Sequence, residues 1–253
     1  MSFAVTADAY DQFMGRFSTP LARQFVGLLA LDDGTRALDV GCGPGALTRE
    51  LVARLGAEQV AAVDPAPPFV AAVRQRCAGV DARQASADAL PFADATFDVV
   101  AAQLVVHFMR DPVAGLREMA RVAAPGALVA ASVWDHAGGG GPLAAFWDAV
   151  RDLDVAAPDE SELLGTRRGD LADLARRAGL DDAAEHALTV AVPFASFGEW
   201  WEPFTLGVGP AGAYVRGLED AAVQRLRERC AERLGGGPFE VRATAWAVTA
   251  RAR

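Results

Sequence analysis

The stretch that most constrains this chain is Ala37-Leu38-Asp39-Val40-Gly41-Cys42-Gly43-Pro44-Gly45-Ala46-Leu47-Thr48. An apolar run holding one acid stops at three glycines on alternate positions, and a helical pattern with Leu47, Leu51 and Leu55 on one face begins at once. The spacing predicts strand, tight turn, helix. Glycine is needed where the backbone takes a positive φ or lets a ligand come close, and a helix start offers unpaired N–H groups. A polar ligand is therefore expected across this turn, although Gly-rich strand–helix turns recur in unrelated α/β proteins and a lone G-x-G-x-G weighs little.

A second apolar run over 59–63 ends in Asp64, about twenty residues past the turn, where an acid at a strand tip binds ribose hydroxyls. Two ligand classes fit. Gly41-x-Gly43-x-x-Ala46 can be read as a dinucleotide fingerprint, with the pyrophosphate on the helix N-terminus. S-adenosylmethionine (SAM) has no phosphate but carries an ammonium, and Asp39, two residues before Gly41, supplies a carboxylate for it. That carboxylate would repel a pyrophosphate, so the residues lean toward SAM.

The motif train resembles the class I SAM-dependent methyltransferases, in the broad group that includes the ubiquinone and menaquinone methylases. The matching pieces are Leu38 to Gly45, Val63-Asp64-Pro65, Ala89-Leu90-Pro91-Phe92 with Phe97-Asp98-Val99-Val100, and Glu118-Met119-Ala120-Arg121-Val122 with Pro125-Gly126. They cover roughly residues 10 to 133 in the expected order, which is more specific than any single motif. The opening Tyr10, then Met14-Gly15-Arg16-x-Ser18, is similar to a leader in a bacterial subgroup of these enzymes, where it closes over the cofactor. The resemblance implies an α/β fold: a Rossmann-like, mostly parallel seven-stranded sheet with helices on both faces and an antiparallel last strand.

It also implies a cofactor site. Asp39 with Gly41, Cys42, Gly43 and Gly45 would hold the amino acid end of SAM, and Asp64 with Pro65 the ribose. The adenine falls to the 86–88 segment. Relatives place an acid four residues before the Leu of Leu-Pro-Phe, and that slot here is Ser86; either its hydroxyl substitutes or Asp88 reaches in, beside Ala87. Gln103, at the end of strand four, borders the methyl. Arg16 is a candidate to fork onto the methionine carboxylate, the other reading being a surface arginine on a docking helix. Tyr10 either packs on the cofactor or fills the core.

His107 is the histidine nearest a recognised motif, and imidazole suits removal of a proton from an acceptor hydroxyl or amine. The plain alternative is a structural histidine, and His136 is the second candidate base. After the fifth strand come Trp134, His136 and four consecutive glycines, Gly138 to Gly141, which would permit movement, then a helical pattern with Phe146, Trp147 and Val150. A second aromatic stretch holds Trp200 and Trp201. Segments 134–165 and 193–235 read as insertions that build a mostly apolar acceptor pocket, with Trp134, His136, Trp147, Trp200 and Trp201 as substrate contacts. Residues 1–30 read as a lid and 31–133 as the SAM-binding half of one domain.

Composition limits the partners. The 253 residues are 52% hydrophobic and carry a net charge of −9; all 24 bases are arginine and no basic stripe appears, so nucleic acid is not expected. Cys42, Cys77 and Cys230 show neither disulfide nor metal-ligand spacing, which suits the cytosol. No signal peptide or bilayer-spanning run is visible. Histidines and carboxylates do not cluster along the chain, so no metal is expected. The function expected is direct methyl transfer from SAM to an O, N or C nucleophile of a small, partly hydrophobic metabolite. The rivals are a SAM-binding cyclase or sensor on the same fold and, further off, an NAD-dependent oxidoreductase. Acceptor and oligomeric state are not legible.

Overall fold

Strand β1 (Ala37–Val40) is buried at every residue and pairs in parallel with β2 (Val60–Asp64) on one side and β4 (Phe97–Gln103) on the other. That is how an apolar run without alternation folds: in the middle of a parallel sheet with both faces covered. The computed structural model describes residues 7–154, 157 and 159–253. Its seven strands run in the order β3-β2-β1-β4-β5-β7-β6, with β3 (Asp81–Gln84), β5 (Ala123–Trp134), β6 (Asp181–Phe194) and β7 (Phe239–Arg251) completing the sheet. β7 lies antiparallel to both neighbours, so the last strand alone reverses, as expected.

The strands are longer than the sequence pattern indicated at the β5-β7-β6 edge. The apolar pattern of the sequence marks only 188–192 and 241–248 as strand, but β6 and β7 pair from Asp181 opposite Arg251 to Phe194 opposite Phe239. Leu188, Val190, Val192 and Phe194 are buried while their neighbours face solvent, and the polar half of such an alternation hides the strand ends.

Helices cover both faces. α2 (Arg16–Val26), α3 (Ala46–Leu55) and α4 (Pro67–Arg76) send Leu21, Phe25, Leu47, Leu51 and Val73 into one apolar cluster; α5 (Pro112–Val122) and α7 (Asp170–Arg177) send Leu116, Met119, Leu171 and Leu174 into the other. α5 starts as its sequence dictates: the Asp111 carboxylate accepts from the N–H groups of Val113 and Ala114, and Pro112 has no donor to leave unpaired. α1 (Ala7–Tyr10) leads through a π-turn, Asp11–Gly15, directly into α2.

The segments 134–165 and 193–235, read from the sequence as insertions, meet. Phe146 on α6 (Ala144–Leu153) stacks on Phe204, which follows α8 (Phe197–Trp201), with centroids 4.5 Å apart. α9 (Gly209–Arg216) and α10 (Asp220–Leu234) complete that layer, α10 packing on α6. The glycine run is not the loose hinge the sequence suggested. Asp135 accepts from the Gly138 N–H, its carbonyl accepts from Gly140 N–H, and the Gly140 carbonyl takes the Thr244 N–H of β7. A Cβ at Gly138 or Gly140 would fall within about 2.6 Å of the Asp135 carboxylate, so the glycines exist to wrap tightly around that side chain. No described helix is long and apolar enough to cross a membrane. Residues 1–6 of the expected lid, and 155, 156 and 158 of the first insertion, lie outside the described residues.

Candidate functional site

The turn after β1 is a tight main-chain bend built on glycines. Gly41, Gly43 and Gly45 have φ of +72°, +51° and +96°. At Gly41 a Cβ would lie 2.4 Å from Val105 Cγ2, whereas at Gly43 it would meet nothing within 4 Å. Gly41 is glycine because the protein leaves no room; Gly43 opens onto a cavity. That cavity, of about 520 Å³, lies outside the carboxyl ends of β1, β2 and β4, lined among others by Gly41, Gly43, Asp64, Pro65, Ser86 and Ala87.

Asp64 ends β2 with both oxygens engaged, Oδ2 accepting from the Gly43 N–H at 2.9 Å and Oδ1 from the Ala66 N–H at 2.8 Å. A carboxylate oxygen has two lone pairs, so each still has capacity for a ligand hydroxyl. Burial pushes its pKa up, and the two main-chain bonds oppose this. Ser86 lines the same cavity; Asp88 is exposed and does not.

A smaller hollow adjoins at the glycine turn, lined by Tyr10, Ser18, Asp39, Cys42, Gln103 and Leu104 among others. Asp39 is buried; its Oδ2 accepts from Thr48 Oγ1 at 2.6 Å, and burial raises its pKa to about 7 against the bond from Thr48. Gln103 donates through Nε2 to the Ser18 carbonyl at 3.0 Å. What remains is unusual. Asp39 Oδ1, Gln103 Oε1 and Ser18 Oγ are buried without a hydrogen-bond partner, and all three residues line this hollow. An orphaned buried polar atom is costly, so three around one space describe the imprint of a polar ligand.

A third space, of about 40 Å³, continues under the insertions, bounded by His107, Phe108, Trp134, His136, Leu143 and Glu160 among others. Here too His107 Nδ1 and Trp134 Nε1 lack partners. Burial pushes the His107 pKa well below its ordinary value, with His136 adding to it, and lowers His136 to about 4. Tyr10 and Leu104 line all three spaces. Leu104 is held at φ +62°, a strained conformation for a leucine, fixed by its N–H to the Ser132 carbonyl at 2.7 Å. Tyr10 packs edge-on against Phe69, and burial raises its hydroxyl pKa.

Several expected site residues are elsewhere. Arg16 lines none of these spaces: it pairs with Glu199 and lies over the Phe194 ring, because the π-turn aims it toward the second insertion. Gly45 serves as the left-handed residue that starts α3 rather than as a cavity wall. Trp200 and Trp201 are buried among Phe197 and Phe204, filling the core of the aromatic layer. Trp147 stands one layer back, its Nε1 donating to Glu160 Oε2 at 3.2 Å. Only Trp134 and His136 of the five substrate candidates reach the third space.

Sequence reasoning missed Ser18 and Glu160. In the sequence Ser18 stands out only as part of the leader, and Glu160 sits in a polar stretch with no periodicity to place it. It also expected no metal-ligand cluster, since spacing along the chain offered none. The fold brings a ring nitrogen of His107, one of His136 and a carboxylate oxygen of Glu160 within 4.8 Å of one another.

Residues 38–131 match the family model described as a methyltransferase domain. A ubiquinone biosynthesis O-methyltransferase of Cereibacter sphaeroides is 36% identical over 156 residues, 59% of this chain and 61% of that protein. A malonyl-[acyl-carrier protein] O-methyltransferase of Pseudescherichia vulneris is 33% identical over 133 residues, 51% of this chain and 50% of that one. The chain thus spans between half and about three fifths of the length of these curated relatives. Among solved structures, a candidate methyltransferase of Bacillus halodurans aligns with a TM-score of 0.60 at 16% identity, over 91% of this chain and 98% of that one. The [4+2]-cyclase SpnF aligns at 0.54 and 20% identity, over 92% and 80%. Phosphoethanolamine N-methyltransferase 2 of Haemonchus contortus, solved with SAM, aligns at 0.57 and 15% identity, over 99% and 60%. The chain therefore has the Rossmann-like fold of these solved structures, and its residues 38–131 match the methyltransferase-domain model.

Proposed function

We propose that this protein transfers a methyl group from SAM to a small, partly hydrophobic acceptor held beneath the two insertions. The observation that carries the reading is the trio of partnerless buried atoms, Asp39 Oδ1, Gln103 Oε1 and Ser18 Oγ, around the hollow beside the glycine turn. Two acceptors and a hydroxyl suit an ammonium, and among the described residues no cationic side chain lines the hollow to suit a pyrophosphate. Bound there, SAM supplies an electrophilic methyl on its sulfonium.

The chain's own residues do the rest. Asp39 and Gln103 hold the amino group, Asp64 takes the ribose hydroxyls, and Ser86 with Ala87 borders the adenine; exposed Asp88 is set aside for that role. Leu104 and Tyr10, common to all three spaces, close the passage between cofactor and acceptor against water. His107, with Nδ1 unpartnered at the acceptor space, is the candidate to receive an acceptor proton. The curated relatives named above are O-methyltransferases, which supports an oxygen nucleophile.

The test is turnover. Purified protein with radiolabelled SAM and a panel of phenols, carboxylic acids and amines is expected to yield S-adenosylhomocysteine and a methylated product. Tight SAM retention with no turnover across the panel favours a SAM-binding protein of another kind, such as a cyclase, on the same fold. Binding of NADH in place of SAM overturns the reading.

A further inference from the structure

The third space holds a donor set that methyl transfer as such does not require. His107 and His136 come from the ends of β4 and β5, and Glu160 from the first insertion, and one ligand atom from each lies within 4.8 Å of the others. His136 Nε2 stands 4.0 Å from Glu160 Oε1, both side chains 6% exposed. Two imidazoles and a carboxylate binding a first-row divalent ion at about 2.0–2.2 Å in tetrahedral geometry sit roughly 3.4 Å apart, so closure needs side-chain shifts of about 1 Å.

Independent features point the same way. His107 Nδ1 is buried with no hydrogen-bond partner. The Trp147 Nε1–H fixes Glu160 Oε2, leaving Oε1 toward His136, as outer-layer donors orient metal-binding carboxylates. The third space, about 40 Å³, has room for a water or an acceptor oxygen at an open coordination position. Among the described residues this is the one group of three or more such side chains gathered in this way.

We propose that His107, His136 and Glu160 bind a divalent transition-metal cation, of the zinc, cobalt or iron(II) type, at the acceptor end of the cavity. The binding itself is independent of the methyl-transfer reading; its consequence for the reaction rests on that reading. The acceptor hydroxyl oxygen takes the open position and loses its proton to solvent. The resulting oxyanion then forms the C–O bond as the S–CH₃ bond breaks, and the electron pair of that bond stays on sulfur. His107 is then a ligand, not the base.

The experiment is a cobalt titration of the metal-stripped full chain, followed by its visible d–d absorption and by displacement with zinc. One equivalent is expected to bind. His107→Ala and His136→Ala should each weaken binding at least about 100-fold, and Trp147→Phe about 10-fold through loss of the bond to Glu160. SAM titration calorimetry on the same variants checks that they are folded. Absence of a cobalt spectrum overturns the site, as does a spectrum unchanged in the His107→Ala/His136→Ala double variant. Turnover that survives chelation overturns the catalytic part and returns His107 to the role of base. Loss of SAM binding with the cobalt spectrum intact would count against methyl transfer and leave the cation site standing.

Discussion

Asp39, in its proposed role of holding the SAM ammonium, would carry a cost when no ligand is bound. Burial pushes its carboxyl from the ordinary 3.8 up to about 7, the Asp64 charge adding to this and the hydrogen bonds with Thr48 opposing it, while the other oxygen has no partner. An ammonium is bound by the ionised form. Between about pH 4 and 7 the free protein keeps a proton that must leave when SAM binds, so affinity is expected to fall as pH drops below 7, by up to tenfold per unit, and to be flat above. Calorimetry from pH 5.5 to 8.5 reads this directly. The folded-state pKa is raised, so the stabilising effect of protonated Asp39 is full below about pH 4 and lost as pH rises through 7. Asp39→Asn should therefore weaken SAM binding about 10- to 100-fold, from a lost charged hydrogen bond of about 1.5–3 kcal/mol, remove the pH dependence, and raise the melting temperature of the ligand-free protein at pH 8 by about 2–4 °C. A melting temperature that falls would show that the carboxylate is satisfied in solution by something else.

At the scale of elements, ion pairs link the leader to α4 and to the second insertion, and a hydrogen bond links α4 to the glycine turn. Arg76 of α4 donates to Asp11 at 2.6 Å, to Asp8 at 3.1 Å and to the Pro44 carbonyl at 3.2 Å, so one guanidinium joins the leader, α4 and the glycine turn. Arg16 joins the same leader to Glu199 of the second insertion. Both partners of that pair are about one-third exposed, and exposed pairs contribute ~0–1 kcal/mol. Arg16→Ala is accordingly expected to leave SAM affinity within about twofold and the midpoint of urea unfolding nearly unchanged; a tenfold loss of affinity would restore the carboxylate-binding role the motif suggested. The Glu118/Arg121 piece of the motif train is likewise structural. Arg121 gathers Glu118, Asp94 and the carbonyls of Leu90 and Phe92, pinning the segment before β4 onto α5, far from any ligand role. A family motif can thus mark a brace as readily as a binding site.

For the molecule as a whole, three spaces share Tyr10 and Leu104 in their walls, and filling them should show as stability. A ligand that binds only the folded state at 100 times its dissociation constant adds about 2.7 kcal/mol, which for a chain of this size is about 5–10 °C in melting temperature. SAM and S-adenosylhomocysteine are expected to give that shift and NADH none; an equal shift with NADH would sink the assignment of the hollow to an amino acid rather than a diphosphate.

The sheet and the edge where the glycine turn lies were legible in the sequence because they rest on local rules: unbroken apolar runs make central parallel strands, Gly41 and Gly43 must turn with positive φ, and Asp39 and Asp64 end up beside them on neighbouring strands. The distal half was not. Whether Trp200 is a wall or a filler, where Arg16 points, and why four glycines follow Asp135 depend on which surfaces the insertions bury against each other, and no short-range pattern encodes that. His107, His136 and Glu160 carry the contrast furthest: they are 29 and 24 residues apart along the chain, and become neighbours only because parallel strands deliver their carboxyl ends to one edge and the first insertion folds back over it.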